Sequence, residues 1–200
     1  MHQMHWRNYA AECLGAGILT LAVLVSLRFP MTTSTPFVAA LVLGLFVYTI
    51  GPVSGAHINP AVTAGLWSVG KIEPPEAIKY MLSQVIGGLI AMFAYKYALG
   101  GLPTINAVSV PLTFVAEAVG TFLLLFGICA VVSEKVRPAA SGIVIGGSLL
   151  LGIVVASAGS NGVLNPAVAI GIHSWTWAYI TGPLFGAIAG CWFARWLFRN

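Results

Sequence analysis

The chain alternates long apolar runs with short polar or glycine-rich connections. The apolar runs cover about 9–27, 37–53, 77–98, 111–132, 139–157 and 176–197. A helix of about 20 apolar residues crosses a hydrocarbon core of about 30 Å. The pattern therefore predicts an all-α membrane protein with six transmembrane helices.

Two further segments interrupt this pattern, one between the second and third runs and one between the fifth and sixth. They read SGAHINPAVTAG at 54–65 and SNGVLNPAVAIG at 160–171. Asn is a favoured N-cap, and Pro suits the first helical position. We expect Asn59 and Asn165 each to cap a helix of about ten residues. Such a helix is about 15 Å long, half of the hydrocarbon core, so the pattern predicts two re-entrant half-helices.

The two halves of the chain resemble each other. The sequence AECLG at 11–15 is matched by AEAVG at 116–120, at the start of each half. Three spans per half is an odd number, so the two copies must cross the membrane in opposite directions. We expect one domain over 1–200, built from inverted repeats of about 1–100 and 101–200. In such folds, interrupted segments at matched places indicate a site near the membrane midplane.

The composition agrees with this interpretation and excludes several classes of function. Hydrophobic residues make up 58% of the chain and charged residues 7%, with no Asp, whereas about a quarter of the residues of a soluble domain are charged. The basic residues are scattered, so the net charge of +4 does not indicate nucleic-acid binding. The sequence contains no recognisable nucleophile–base set, metal-ligand cluster or phosphate loop. We therefore expect no enzymatic activity, no cofactor and no metal.

The basic residues also predict an orientation. With a cytoplasmic N-terminus, only Arg28 and Lys96 of the nine Lys and Arg residues would lie outside. Cytoplasmic loops are normally enriched in these residues. We expect a multi-pass protein of the cell (cytoplasmic or plasma) membrane with both termini in the cytoplasm.

The three cysteines give no sign of a disulfide framework. Cys13, Cys129 and Cys191 are odd in number and lie inside apolar runs. Free Cys in such places usually behaves as a small buried hydrophobic residue. We expect three buried thiols.

The segments before the two Asn-Pro pairs have an irregular sequence at membrane depth. Irregular backbone is tolerated there only where it is buried or lines a wet cavity. If each Asn oxygen caps its own helix, the amide groups of Asn59 and Asn165 remain as donors, and the helix N-termini oppose cations. We expect a path for water to be lined by residues of both segments: Gly55, Ala56, His57, Ile58, Val163 and Leu164.

Glu12 and Glu117 are the acidic residues that lie deep in apolar runs. A carboxylate at the centre of a membrane helix costs roughly 2.5–3.5 kcal/mol on insertion scales. Their matched positions suggest that each accepts hydrogen bonds from the backbone N–H groups of one re-entrant segment. The alternative is a proton-coupled carrier that uses them as relay groups, although a relay normally involves unlike partners.

The paired NPAV segments, the two AExxG segments, SGAH at 54–57 and GPLFGA at 182–187 together resemble the aquaporin (major intrinsic protein) family. The resemblance covers nearly the whole chain. It implies a right-handed bundle of six spans and two half-helices, a homotetramer in the bilayer with one pore per subunit, and passive conduction of water or small uncharged solutes. It also implies that the pore centre is formed by Asn59, Pro60, Ala61, Asn165, Pro166 and Ala167.

One position departs from the family. The second Asn-Pro-Ala is normally followed by Arg, which forms a narrow external filter, and here that position is Val168. The other filter positions, carried over by their spacing from the two Asn residues, are Ala39, Ile153 and Gly162. Small aliphatic side chains widen the constriction but offer no donor to replace lost hydration, so water can dewet there. The missing Arg also weakens the exclusion of cations.

We expect a passive channel for water or for small uncharged solutes resembling glycerol, urea or dissolved gas. An ion-leaky channel is one alternative, favoured by the missing Arg and disfavoured by the absence of an acidic ring. A non-conducting structural membrane protein is the other. Its usual long external loops are absent, since the longest external connection is 99–112.

Overall fold

The computed structural model describes residues 6–29, 32–108 and 110–199. All regular structure in these residues is helical, with no strand. The helices are α1 (Trp6–Arg28), α2 (Thr35–Thr49), α3 (Gly51–Ser54), α4 (Pro60–Ser68), α5 (Pro74–Leu99), α6 (Pro111–Val132), α7 (Ser141–Ala156), α8 (Pro166–Gly171) and α9 (Trp177–Leu197), with a 3₁₀ turn at Pro138–Ala140.

Four helices are long and apolar enough to cross a membrane, namely α1, α5, α6, and α7 together with its preceding 3₁₀ turn. The apolar α2 is shorter, at 15 residues, and α9 has 21 residues with Pro183 inside it. Many large apolar side chains on these helices are exposed, as the lipid-facing surface of a bundle requires. The predicted all-α membrane architecture is therefore confirmed.

The second apolar run is not one continuous helix. The sequence predicts a span over 37–53, but α2 ends at Thr49 and the short α3 follows after Ile50. Pro52 lies in the first turn of α3, where its missing N–H is tolerated. Within a continuous helix the same proline would remove a hydrogen bond and crowd the preceding turn. The break turns the chain toward the first re-entrant segment.

Helices α4 and α8 are the two predicted half-helices. They have nine and six residues, which correspond to lengths of about 13 and 9 Å. Asn59 and Asn165 are their N-caps, and each Asn side chain accepts a hydrogen bond from the first turn of its helix. Both helices are therefore too short to cross a membrane.

Glycines let the half-helices pack closely against long helices. A Cβ added to Gly65 of α4 would lie 2.9 Å from the carbonyl oxygen of Ala187 on α9. A Cβ added to Gly88 of α5 would lie 2.6 Å from the carbonyl oxygen of Ala167 on α8. Small residues are typical of such contacts between membrane helices. The pairs α4–α9 and α5–α8 occupy matched places in the two halves.

We call the side of the bundle where α1 begins and α9 ends the terminal face, and the other side the opposite face. Helices α1 and α5 both end at the opposite face, with Arg28 and Lys96 in their last turns. The half-helix α4 runs from the interior to the terminal face, and α8 runs from the interior to the opposite face. The two half-helices therefore begin in the middle of the bundle.

Candidate pore

The two re-entrant segments adopt the same unusual backbone conformation. In the first, φ is +50° at Ala56 and +42° at Ile58, and in the second, φ is +62° at Gly162 and +55° at Leu164. A positive φ is uncommon outside glycine and is a true outlier at a β-branched residue such as Ile58. Such conformations persist only where surrounding contacts fix them.

Glu12 of α1 supplies these contacts in the first segment. One carboxylate oxygen accepts hydrogen bonds from the Ser54 hydroxyl at 2.6 Å and the His57 N–H at 3.0 Å. The other accepts from the Ile58 N–H at 2.6 Å and the Gln84 amide at 2.7 Å. The side chain is fully buried. Four donors therefore surround this carboxylate and fix the strained backbone.

Glu117 of α6 occupies the matching place in the second half. Its carboxylate accepts from the Ser160 hydroxyl at 2.8 Å and from the N–H groups of Val163 and Leu164 at 2.9 and 2.7 Å. The fourth donor of the first half has no counterpart, because the matching position on α9 is Pro183. The two carboxylates are therefore similarly placed but unequally satisfied.

A buried polar chain links Glu12 to the ring of His57. The Gln84 amide that donates to Glu12 also lies 3.0 Å from the Thr63 hydroxyl. The His57 Nδ1 atom lies 3.1 Å from the same hydroxyl. Both Gln84 and Thr63 are fully buried, so this chain fixes the orientation of the imidazole.

The two Asn side chains bind across the halves of the molecule. The Asn59 Oδ1 atom accepts from the Ala61 N–H at 2.8 Å, and Asn165 caps α8 in the same manner. The Asn59 amide donates to the carbonyl oxygen of Leu164 at 2.9 Å. The Asn165 amide donates to the carbonyl oxygen of Ile58 at 3.0 Å. Each amide therefore has one N–H bonded to the opposite segment and a second N–H that is not.

Two cavities adjoin in this region. One has a volume of about 210 Å³, reaches the opposite face and is lined by both Asn59 and Asn165. The other, which we call the vestibule, has a volume of about 460 Å³ and reaches the terminal face. His57 and Val62 line both of them. These two side chains therefore lie where the two cavities adjoin.

The four predicted filter residues all line the opposite-face cavity, and they come from different elements. Ala39 lies on α2, Ile153 on α7, Gly162 in the second re-entrant segment and Val168 on α8. A Cβ on Gly162 would lie 2.9 Å from the carbonyl oxygen of Ile153, so glycine is required for this approach. Among the described residues, no Asp, Glu, Lys or Arg lines this cavity.

The other predicted site residues differ in the cavity that they line, and some line neither. His57, Ile58 and Val163 line the opposite-face cavity, while Gly55 and Ala56 line the vestibule. The side chain of Leu164 is fully buried, lies close to Gly120 and Gly152 and lines neither cavity, whereas its carbonyl oxygen accepts from the Asn59 amide. Four buried residues of the Asn-Pro-Ala motifs also line neither cavity, namely Pro60, Ala61, Pro166 and Ala167.

Most of the cavity wall was not singled out from the sequence. It consists of apolar side chains of the long helices, among them Leu19, Val23, Leu43, Leu124 and Leu149. For Leu19 and Val23, the only indication in the sequence is their four-residue spacing on α1. Residues that face lipid show the same spacing. The Asn161 amide donates to the carbonyl oxygen of Asn106 at 3.0 Å. This bond fixes the connection between α5 and α6, where Ile105 lines the cavity.

Comparison with known proteins identifies the chain. The model of the family described as Major intrinsic protein matches residues 1–194. The chain is 33% identical to the probable aquaporin AqpM of Archaeoglobus fulgidus over 185 residues, covering 80% of this chain and 74% of that protein. It is 38% identical to aquaporin TIP1-1 of Arabidopsis thaliana over 183 residues, covering 80% and 71%.

Its fold is similar to the X-ray structure of the aquaglyceroporin from Plasmodium falciparum. The TM-score is 0.75 at 23% identity, with 94% of this chain and 95% of that chain covered. The chain is a helical bundle in which two half-helices begin beside a central cavity. This is the architecture of a multi-pass membrane channel. Within this class, the chain belongs to the Major intrinsic protein family. It is therefore a channel for water and small solutes and not an enzyme.

Proposed function

We propose that the chain is a passive channel whose pore runs from the vestibule, past Asn59 and Asn165, into the opposite-face cavity. The observation that carries this proposal is the position of the two Asn residues, which lie on opposite repeats, bond across to each other's segments and line one cavity. The pore centre is then formed by the two Asn-Pro-Ala motifs, with Glu12 and Glu117 holding the segments in place.

The chemistry of the centre favours uncharged solutes. Each Asn amide has one N–H committed to the opposite segment, so the second remains for the oxygen of a passing molecule. The half-helix N-termini add positive dipole ends at the same level. A water or hydroxyl oxygen can accept from these donors, whereas a cation meets an unfavourable field.

The opposite-face filter determines which solutes pass. Ala39, Ile153, Gly162 and Val168 present small aliphatic groups with no fixed charge. The cavity of about 210 Å³ has room for several waters, at about 30 Å³ each. We therefore assign the pore to small uncharged solutes with some apolar surface, such as glycerol, urea or dissolved gas, in addition to water.

The proposal includes the setting of the channel. The single domain of residues 1–200 would consist of inverted repeats of about 1–100 and 101–200 and lie in the cell membrane. The terminal face would be cytoplasmic, because most basic residues lie there. Four copies would assemble into a homotetramer with one pore each, as the family resemblance implies.

Stopped-flow light scattering on proteoliposomes tests conduction with gradients of sucrose, glycerol and urea. The plugging variant is Ala39→Trp, which places a large ring in the filter. Its matched control is Leu41→Trp on the same helix, where the side chain is 61% exposed on the outer surface. Wild type and Leu41→Trp should pass water and glycerol, and Ala39→Trp should fall to the level of empty liposomes. If wild-type vesicles behave as empty ones for every solute, the channel proposal is wrong and the protein is structural.

An ion leak is the second candidate, and it is favoured by Val168 in the place of a fixed positive charge. Conductance in a planar bilayer separates the two candidates. A neutral-solute channel gives no single-channel current at 100 mV in any common salt, whereas steps of cation current would establish the ion leak.

A further inference from the structure

Two of the three cysteines are in direct contact. Cys129 on α6 and Cys191 on α9 have their Sγ atoms 3.1 Å apart. Both are free thiols, and their exposed fractions are 6% and 1%. The sequence predicts three buried thiols with no disulfide framework. Cys13 is only partly buried, and the contact between the other two is a finding of the structure.

The pair lines a third cavity, which we call the thiol cavity. It has a volume of about 320 Å³, opens at the terminal face and is also lined by Lys71, Arg195 and Arg199. Among the described residues, no acidic side chain lines it. Positive charge near a thiol favours the thiolate, which is the nucleophilic form. The cavity therefore holds a close pair of sulfurs together with three cationic side chains.

The thiol cavity adjoins the vestibule of the pore. Leu66, Lys71 and Val132 line both, so one layer of residues separates a solute in the vestibule from the two sulfurs. Half-helix α4 lies against the same pair, because a Cβ on Gly65 would lie 3.1 Å from the Cys191 Sγ atom. A small, uncharged oxidant can approach the thiols through the opening of the thiol cavity, which lies beside the vestibule.

We propose that Cys129 and Cys191 form a reversible oxidation site whose oxidant is a small peroxide. The thiolate of Cys129, the more exposed of the two, attacks one peroxide oxygen. The O–O bond breaks, the sulfur becomes a sulfenic acid, and the leaving hydroxide takes a proton to give water. The Cys191 sulfur then displaces the sulfenic hydroxyl as a second water and forms the disulfide. Overall, two thiols and one hydrogen peroxide give one disulfide and two waters.

The geometry requires little movement. A disulfide has an S–S length of about 2.05 Å, so the two sulfurs need to approach by about 1 Å. In a reducing cytoplasm the thiol form is the resting state, and a disulfide there is typically transient and redox-sensing. The bond would join α6 to α9 beside α4, and a dithiol would reverse it by exchange.

The test uses the purified full chain in detergent. The protein is treated with hydrogen peroxide, quenched with catalase, denatured and alkylated with N-ethylmaleimide, and its intact mass is then measured. The wild type contains three cysteines, and after peroxide it should take up a single maleimide, at Cys13, and lose about 2 Da. Dithiothreitol before alkylation should restore all three sites.

The variants locate the bond. Cys13→Ser should take up no maleimide after peroxide, whereas Cys129→Ser and Cys191→Ser should each keep Cys13 alkylatable and form no disulfide within the chain. The proposal is overturned if peroxide leaves all three wild-type thiols alkylatable, or if peptide mapping finds a bond to Cys13 or to a second chain. None of these measurements depends on what the pore conducts.

Discussion

Glu12 and Glu117 are single side chains on which the shape of a whole segment depends. Each is buried, and each accepts two backbone N–H bonds from residues in or beside a left-handed conformation. A hydrogen bond to a charged group contributes about 1.5–3 kcal/mol. Glu117 has no counterpart of the Gln84 amide to compensate for its burial.

We expect Glu117→Gln to destabilise the fold by about 2–4 kcal/mol, because the new amide group presents hydrogens to backbone donors. The measurement is the midpoint of thermal unfolding in detergent. Glu134→Gln, at the exposed connection before α7, is the matched control and should leave the midpoint unchanged. Equal midpoints for both variants would contradict the role assigned to Glu117.

Val168 is the residue that distinguishes the proposed filter. We expect Val168→Arg to narrow the opposite-face cavity and to lower glycerol permeability about tenfold or more, with a smaller effect on water. Liposome swelling in glycerol gradients measures this. Val168→Leu adds bulk without charge and should lie between the wild type and the Arg variant. A rise in glycerol flux with Arg would mean that the filter lies elsewhere.

Local sequence rules were sufficient for some residues and insufficient for others. The N-caps at Asn59 and Asn165 follow from an Asn-Pro pair, which is a short-range signal. The contacts of Gln84 with Glu12 and Thr63 join three separate segments, so no local pattern encodes them. The bonds of the Asn amides to the opposite segments were missed for the same reason, since they depend on how the halves meet.

At the scale of elements, glycine positions determine how near each half-helix lies to the long helix behind it. Gly88 faces the backbone of α8, and Gly65 faces that of α9. The half-helices are too short to be stable alone, because isolated helices below about 12–15 residues are marginal. Their position therefore depends on these close contacts.

We expect Gly88→Ala to destabilise the protein by about 1–3 kcal/mol, because the new methyl group would press on the carbonyl of Ala167. Gly147→Ala is the control, since Gly147 lies on α7 with no atom near its missing Cβ. That change should be neutral or stabilising by up to about 1 kcal/mol. Chemical denaturation of both variants distinguishes them, and a Gly88 variant as stable as the control would refute the contact argument.

The break between α2 and α3 could not be predicted from hydropathy. Hydropathy alone gives one span over 37–53, because Ile50, Gly51 and Pro52 interrupt the helix without adding charge. The proline marks a helix start as readily as a helix end, so the sequence left the position of the turn open. Packing of α3 against α1 and α2 settles it.

At the scale of the whole molecule, the distribution of basic residues is the basis of the proposed orientation. Most of the basic residues lie at the terminal face, and few lie at the opposite face. We expect a fluorescent protein fused after Asn200 to fluoresce in bacterial cytoplasm, and alkaline phosphatase at the same place to be inactive. Fusions after Gly100, at the end of α5, should give the reverse result. Active phosphatase after Asn200 would invert the assignment.

The crossed bonds between the Asn amides and the opposite carbonyls have a consequence for biosynthesis. Ile58 leaves the ribosome well before Asn165, so the first repeat enters the bilayer with one strained carbonyl still lacking its donor. Lipid offers no other hydrogen-bond donor for this carbonyl. The first half therefore stays incompletely folded until the second half has been inserted. The centre of the proposed pore therefore forms only after both re-entrant segments have been synthesised.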